Sequence, residues 1–278
     1  EAMKAAISRS PCLTGHAKNC HNTSKTRYTT AMHEYWQKQL PTRPLFPDIE
    51  WNKPEQRSRA GKVLIVGGNK LGFVAVASSY QEALDTGAGQ VRVLLPDALQ
   101  RAIPATILDT VFAASTPAGG LGKDDQGAID ASLAWSEHTL LIGDAGRNAE
   151  TAIAYERMLT SSRPLTITRD AVDILKNVSQ ALVERPQTTL IVSFAQLQKV
   201  FQSVYYPKML GFSMQVNLLV EILHKFTISY PTTIVTYHQN QLVIAHGGDV
   251  VTQEFDDPMM IWRGTVATRI ACYQLWTP

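Results

Sequence analysis

Charged residues, cysteines and long apolar runs are all scarce in this sequence, and each shortage excludes a class of protein. The 278 residues include 26 Lys and Arg against 24 Asp and Glu, and a net charge of +2 gives no general attraction to nucleic acid or to acidic membranes. The three cysteines, Cys12, Cys20 and Cys272, form no disulfide framework, so we expect a reducing, cytoplasmic setting. No apolar run approaches the roughly 18 residues of a membrane-spanning helix, so no membrane partner is expected.

Apolar residues, by contrast, are abundant. They make up 45% of the sequence, which is enough for a sizeable core and argues against intrinsic disorder. Only 18% of the residues are charged, so the surface has to depend on uncharged polar side chains. At roughly 150 residues per domain, the length corresponds to one large domain or two small ones.

The N-terminal segment differs in composition from the rest of the chain. Residues 1–31 are rich in Ser and Thr, and they carry five Lys or Arg residues against one acid, Glu1. A targeting peptide has such a composition, but no amphipathic period is present, which favours a poorly packed extension or translation begun upstream of a natural start at Met32. Two cysteines and two histidines there lack the paired Cys-x-x-Cys spacing of structural zinc sites, so no metal site is predicted: Cys12, His16, Cys20 and His21.

A connector joins this segment to the body of the chain. Residues 32–40 are predicted to form a short helix, and the prolines that follow it up to Pro54 predict an extended, polar stretch. We therefore divide the chain into an extension with its connector, residues 1–46, and one domain, residues 47–278.

Strand and helix patterns alternate along this domain. Short β-branched runs at 62–66 and 90–95 flank a helical pattern at 73–86, which together predict a βαβ unit. The alternation predicts a mostly parallel sheet covered by helices on both faces, with a hairpin near the end. Further strands are predicted at 139–142, 164–168, 188–192, 233–236, 241–245 and 250–255, and further helices at 148–160, 170–177, 195–203, 213–226 and 263–276.

Glycine-rich turns follow two of the predicted strands. In open α/β sheets ligands bind at the carboxyl ends of the strands, and glycine lets backbone N–H groups approach an anion. The competing interpretation is a pair of tight strand-to-helix turns, because neither segment matches a Walker A loop or the full dinucleotide fingerprint. The candidate ligand-binding residues are Gly67, Gly68, Asn69, Gly143, Asp144, Gly146 and Arg147.

Several blocks of the domain resemble one family of enzymes. The run from Gly61 to Asn69, GKVLIVGGN, followed by Gly87-Ala-Gly89 before a strand, resembles the ADP/ATP-dependent NAD(P)H-hydrate dehydratases of the ribokinase-like superfamily. The segments 139–147, 163–175 and 233–255 resemble later elements of that family in the same order. The resemblance implies a ribokinase-like three-layer α/β/α sandwich with a mostly parallel central sheet.

The resemblance also implies a reaction and its ligands. In this family a nucleotide, ADP or ATP, phosphorylates the hydroxyl of hydrated NAD(P)H, and elimination of phosphate then restores the nicotinamide cofactor. The reaction needs an anion hole and a carboxylate base. Mg²⁺ is a further candidate ligand, which Asp256 and Asp257 could bind, although these residues also fit a solvated loop. Relatives are often oligomers, so a homo-oligomer is expected.

The required base is missing at its expected place. The family carries it in a Gly-x-Gly-Asp sequence that opens the final helix, where this chain has Arg263, Gly264 and Thr265, with Gly264 in the position of the aspartate. A glycine backbone can donate to an anion but cannot accept a proton, so these three residues are candidates for binding only. Two aspartates remain as candidate bases: Asp170, which survives from the family's Asp-Ala-Asp-Ala run, and Asp249, for which a hairpin-turn role is favoured.

Three functions are consistent with these residues. The first is a divergent NAD(P)H-hydrate dehydratase that works with an altered base. The second is a non-catalytic relative that keeps a nucleotide pocket or only a protein interface. The third is a small-molecule, carbohydrate-type kinase, which needs the same base. Loss of a general base costs about 10²–10⁴ in rate, which favours lost or much reduced activity.

Overall fold

A single ten-stranded sheet forms the centre of the protein. The computed structural model describes residues 34–40, 52–104 and 106–276, and the statements below concern those residues. The strands are β1 Trp36–Lys38, β2 Lys62–Gly67, β3 Gln90–Pro96, β4 Thr110–Ala113, β5 His138–Gly143, β6 Leu165–Thr168, β7 Thr188–Val192, β8 Thr233–His238, β9 Gln241–His246 and β10 Asp249–Glu254.

The order of the strands is β1-β10-β9-β8-β7-β6-β5-β2-β3-β4. Each pair of adjacent strands from β8 to β4 in this order is parallel, and β9 is antiparallel to both β8 and β10. The carboxyl ends of β2, β3, β5, β6 and β7 therefore lie along one edge of the sheet, where ligands bind in folds of this kind.

Helices cover both faces of the sheet. Alternate residues of β2 show the division: Leu64 and Val66 pack into the core on one face, and Val63 and Ile65 into the core on the other. The helices are α1 Val74–Thr86, α2 Gln126–Trp135, α3 Ala149–Met158, α4 Asp170–Ile174, α5 Ser179–Glu184, α6 Phe194–Ser203, α7 Val216–Ser229, α8 Met259–Arg263 and α9 Thr265–Gln274. The first core contains helices α2 to α7, and the second contains α1, α8 and α9.

This architecture confirms the predicted α/β fold class. Strands buried on both faces, such as β5 and β7, are continuous apolar or Thr-rich runs because helices shield them from water on each side. In the part of the chain that the structure describes, no helix has both the length and the apolar character needed to cross a membrane.

The helix predicted over 32–40 is wrong for the residues that the structure describes. Trp36–Lys38 is strand β1, which pairs in parallel with β10 in the register Trp36 with Val250. The Val250 amide donates to the Tyr35 carbonyl over 2.7 Å, and the Trp36 indole donates to the Thr252 hydroxyl over 3.0 Å. The free edge of β10 offers this short segment backbone hydrogen bonds that its local sequence does not reveal.

Four elements went without a prediction, and one was shorter than predicted. The sequence pattern did not indicate β4 and α2, which lie between β3 and β5, and it did not indicate α5 or α8. The helix predicted over 170–177 is α4, Asp170–Ile174, continued by a 3₁₀ turn, Leu175–Val178. The expected extension, residues 1–31 with its Cys and His residues, lies outside the described residues.

Candidate functional site

The turns that follow β2 and β5 are packed against each other at the carboxyl edge. The Gly68 amide donates to the Gly143 carbonyl over 2.8 Å, and the Asn69 side-chain amide donates to the Asp144 carbonyl. A Cβ atom on Gly67 would lie 2.3 Å from the Gly143 carbonyl oxygen, so this contact requires glycine. Gly67, Gly68 and Gly143 are buried. Their backbones therefore hold the two turns together instead of facing an open ligand site.

Asp144 reaches from the β5 turn to two other elements. One carboxylate oxygen accepts a hydrogen bond from the Ala75 amide, in the first turn of α1, over 2.9 Å. The other oxygen forms an ion pair with the Arg169 guanidinium, which is only 26% exposed. Arg169 also donates to the Trp262 carbonyl over 2.9 Å. The Asp144–Arg169 pair thus connects the β5 turn, α1, the end of β6 and α8.

Asp170 holds the same turn through hydrogen bonds to its backbone. Its two carboxylate oxygens accept hydrogen bonds from the Asp144 amide over 2.8 Å and from the Ala145 amide over 3.1 Å. Beneath it, the fully buried Tyr155 hydroxyl has no hydrogen-bond partner among the described residues. Burial, and then the negative charges of Asp170 and Asp144, raise the pKa of Tyr155 well above its usual range. Both oxygens of Asp170, a candidate base, are therefore used to hold the backbone.

Gly264 separates α8 from α9 in a conformation that favours glycine, with φ at +90°. A Cβ atom there would lie 2.4 Å from Ile142 Cδ1 and 3.7 Å from Arg169 Cδ. A side chain at this position therefore has no room unless Ile142 moves. Thr265 begins α9 directly beside it.

Two clefts flank the ion pair. One has a volume of about 630 Å³, and its lining includes Asn69, Val74, Asp144, Arg169 and Arg263. The other has a volume of about 490 Å³, and its lining includes Asp144, Arg169, Gln196, Lys199 and Trp262. Because Asp144 and Arg169 line both, they form the partition between them. Of the predicted binding residues, Asn69, Asp144 and Arg263 thus share one cleft.

Other predicted residues lie elsewhere. Arg147, exposed beyond the Gly146 turn, lines a third cleft of about 620 Å³ between α3, α4 and α6. Asp249 begins β10, which runs parallel to β8, so it lies at the amino edge of the sheet, opposite the site. The Asp257 carboxylate accepts a hydrogen bond from the Met259 amide over 3.0 Å. No group of three or more His, Cys, Asp or Glu residues is arranged to hold a metal ion within the described ranges.

Arg169 was not among the site residues predicted from the sequence. It follows the predicted strand β6 and directly precedes Asp170. A cation at the carboxyl end of a parallel strand is the sequence feature that could have indicated a site residue there. Its pairing with Asp144 was not visible in the sequence, because the two residues are 25 positions apart and in different turns.

Comparison with known proteins identifies the fold. No protein-family model and no curated protein matches this sequence. A ribokinase-like superfamily protein from Enterococcus faecalis matches in structure with a TM-score of 0.67 and 16% identity, over 89% of this chain and 83% of that chain. A protein from Streptococcus mutans matches with a TM-score of 0.61 and 14% identity, over 82% of this chain and 84% of its own.

An ADP/ATP-dependent NAD(P)H-hydrate dehydratase from Bacillus subtilis, co-crystallized with ATP and Mg²⁺, matches more distantly. Its TM-score is 0.47 and its identity 13%, over 80% of this chain and 79% of that chain. The match to the Enterococcus faecalis protein establishes that the fold of this chain is ribokinase-like, as the resemblance in sequence implied. Identities this low show the fold and do not carry an activity.

Proposed function

We propose that this protein binds a phosphate-bearing, nucleotide-type ligand in the cleft between Asn69 and Arg263 and that it does not catalyse phosphoryl transfer or dehydration. The observation that carries the proposal is the packing at Gly264. Ile142 occupies the space that a side chain at this position would need, while two arginines line the neighbouring cleft.

The cleft suits an anionic ligand. The Arg263 side chain is exposed and has no hydrogen bond or ion pair to the described residues, so its forked donors are open to a phosphate. Asn69 lies across the cleft and adds a polar group that can orient a ligand. A volume of about 630 Å³ falls within the range of pockets that hold small molecules.

Catalysis is disfavoured because, among the described residues, the carboxylates of Asp144 and Asp170 beside the cleft are already held by hydrogen bonds to the backbone and by Arg169. Asp170 accepts two backbone hydrogen bonds, and both oxygens of Asp144 are engaged by Ala75 and Arg169. A general base must accept the proton of the attacking hydroxyl in a hydrogen-bonded geometry. A carbohydrate-type kinase needs the same base, so this argument applies equally to the dehydratase and to the kinase.

A thermal-shift titration with ADP, ATP and NADH, run beside an assay for repair of hydrated NADH, tests the proposal. A ligand that binds only the native state raises the melting temperature, so we expect a shift with a nucleotide and no turnover. Arg263→Ala should reduce the shift. Arg59→Ala, which removes an exposed arginine near the amino edge of the sheet, is the matched control and should leave it unchanged.

Two results would contradict the proposal. Turnover of hydrated NADH, or nucleotide-dependent phosphorylation of a small molecule, would mean that a base exists, and Asp144→Asn and Asp170→Asn would then locate it. Absence of any shift with nucleotides up to millimolar concentration would remove the binding role and leave an interaction protein. Light scattering tests the expected homo-oligomer independently, and a monomer would contradict it.

A further inference from the structure

The carboxylate of Asp144 has the surroundings of a bound anion. It accepts from the Ala75 amide in the first turn of α1, a helix of 13 residues, and it pairs with a guanidinium that is largely buried. A backbone amide at the start of a helix together with an arginine is a combination that binds phosphate or carboxylate groups of ligands. Here a side chain of the protein itself takes that position.

The backbone has a positive φ at both ends of the ion pair. Asp144 has φ at +56°, a conformation that Asp tolerates, and Asp170 fixes it by accepting a hydrogen bond from the Asp144 amide. Arg169 has φ at +57° with ψ at −139°, which residues other than glycine adopt only where the surrounding structure enforces it. Gln196 holds this conformation by donating to the Arg169 carbonyl over 2.7 Å. The pair is therefore held in place by its neighbours.

The ion pair also blocks the cleft. Asp144 and Arg169 form the partition between the clefts of about 630 Å³ and about 490 Å³. As long as Asp144 neutralises Arg169, Arg263 is the one unpaired cation among the described residues that line the first cleft. An anionic group that replaced the Asp144 carboxylate would gain Arg169 and the Ala75 amide as well.

We propose that Asp144 is an internal anion that closes the site in the absence of ligand, and that a phosphate group binds fully only by displacing it from Arg169 and Ala75. This inference rests on the proposed function for its nucleotide ligand, but the occupancy of the anion position by Asp144 can be tested without any nucleotide.

The test uses inorganic phosphate as the probe and two substitutions at position 144. Asp144→Gly removes the carboxylate and tolerates the positive φ, so it leaves an empty anion position. Asp144→Asn keeps the size of the side chain, also tolerates that conformation, and removes only the charge. Asp109→Asn is the matched control, because it removes a carboxylate from another arginine pair, Arg92–Asp109 at 3.0 Å, away from the clefts.

Melting temperatures are measured against phosphate concentration at constant ionic strength. We expect phosphate to raise the melting temperature of Asp144→Gly saturably, by about 2–4 °C or more at concentrations well above the dissociation constant, with a smaller rise for Asp144→Asn. The wild type and Asp109→Asn should show no saturable rise. If Asp144→Gly does not fold, the comparison of Asp144→Asn with Asp109→Asn decides.

Equal phosphate responses in the Asp144 variants and in Asp109→Asn would overturn the inference. Repeating the melting experiment with ADP and ATP distinguishes this inference from the proposed function. Stabilisation of Asp144→Gly by phosphate, with no effect of ADP or ATP on any variant, would support the internal anion and refute the nucleotide ligand. Equal nucleotide shifts in wild type and Asp144→Gly, without a phosphate effect, would refute the internal anion and leave the nucleotide ligand in place.

Discussion

Substitution of Gly264 by alanine tests whether Ile142 really excludes a side chain from the start of α9. Two costs add at this position. Placing an L-residue at a φ of +90° costs about 1–2 kcal/mol, and forcing a Cβ atom to within 2.4 Å of Ile142 Cδ1 costs about 1–3 kcal/mol more as overpacking. We therefore expect Gly264→Ala to lower the free energy of unfolding by about 2–5 kcal/mol.

Gly247 provides a matched control for the backbone term. Its φ is +55°, but a Cβ atom there would meet no atom within 4 Å. Gly247→Ala therefore carries the conformational cost and the same gain from a stiffer unfolded chain, without the overlap. The difference between the two variants contains the overlap and the extra backbone cost of a φ of +90° relative to +55°, and the double-mutant cycle isolates the overlap. Urea denaturation with unchanged m-values gives both free energies.

A double-mutant cycle with Ile142→Val completes the test. Valine lacks the Cδ1 atom, and the substitution by itself costs about 0.5–1.5 kcal/mol. If the overlap is real, the double variant is more stable than the sum of the single effects predicts, by about 1 kcal/mol or more. Equal destabilisation by Gly264→Ala and Gly247→Ala, together with additivity in the cycle, would refute the steric explanation for the missing base.

Two further predictions concern single side chains. Ser193→Ala removes the capping box at the start of α6, in which the Gln196 backbone amide donates to the Ser193 hydroxyl over 3.2 Å. We expect it to lower the free energy of unfolding by about 1 kcal/mol in a denaturation experiment. Ser203→Ala, at the exposed end of the same helix, is the control and should change the free energy little. Burial, and then the charge of Arg185, lower the pKa of His138 from 6.5 to about 3. Between these two pH values the unfolded chain therefore binds more protons than the folded protein. The stability that the neutral ring contributes is complete above pH 6.5 and falls as the pH drops toward about 3. His138→Gln should reduce the slope of unfolding free energy against pH in that window by up to about 1.4 kcal/mol per pH unit, and identical slopes would contradict the assignment.

Local patterns were sufficient for most of the sheet. The β-branched run of β2, the helical spacing of α1 and the strand β3 lie within 35 consecutive residues, and their bounds differ from the predicted ones by one residue at most. Such segments are predictable because the periodicity of their apolar residues is the cause of their burial on a given face. The same argument explains why the parallel sheet with helices on both faces could be inferred before any contact was known.

Pairing between distant segments was not predictable in this way. The segment Trp36–Lys38 has a helix-compatible sequence, yet it becomes an edge strand because β10, more than 200 residues further on, offers an unpaired backbone. The short strand β4 is similar, since its partner β3 decides its conformation more than its four residues do. Propensity is a weak signal when a segment can gain hydrogen bonds from a sheet edge.

In the candidate site, too, some features follow from the sequence and others depend on contacts between distant residues. From the sequence alone it follows that the fold is α/β, that the turns after β2 and β5 lie at one edge of the sheet, and that no aspartate stands at position 264. Only the tertiary structure shows that Ile142 fills the space beside Gly264, that Asp170 holds the β5 turn, and that Asp144 pairs with Arg169 between the two clefts. These contacts join residues that are far apart in the sequence, and the pairing of β5 with β6 places the turns that follow the two strands side by side.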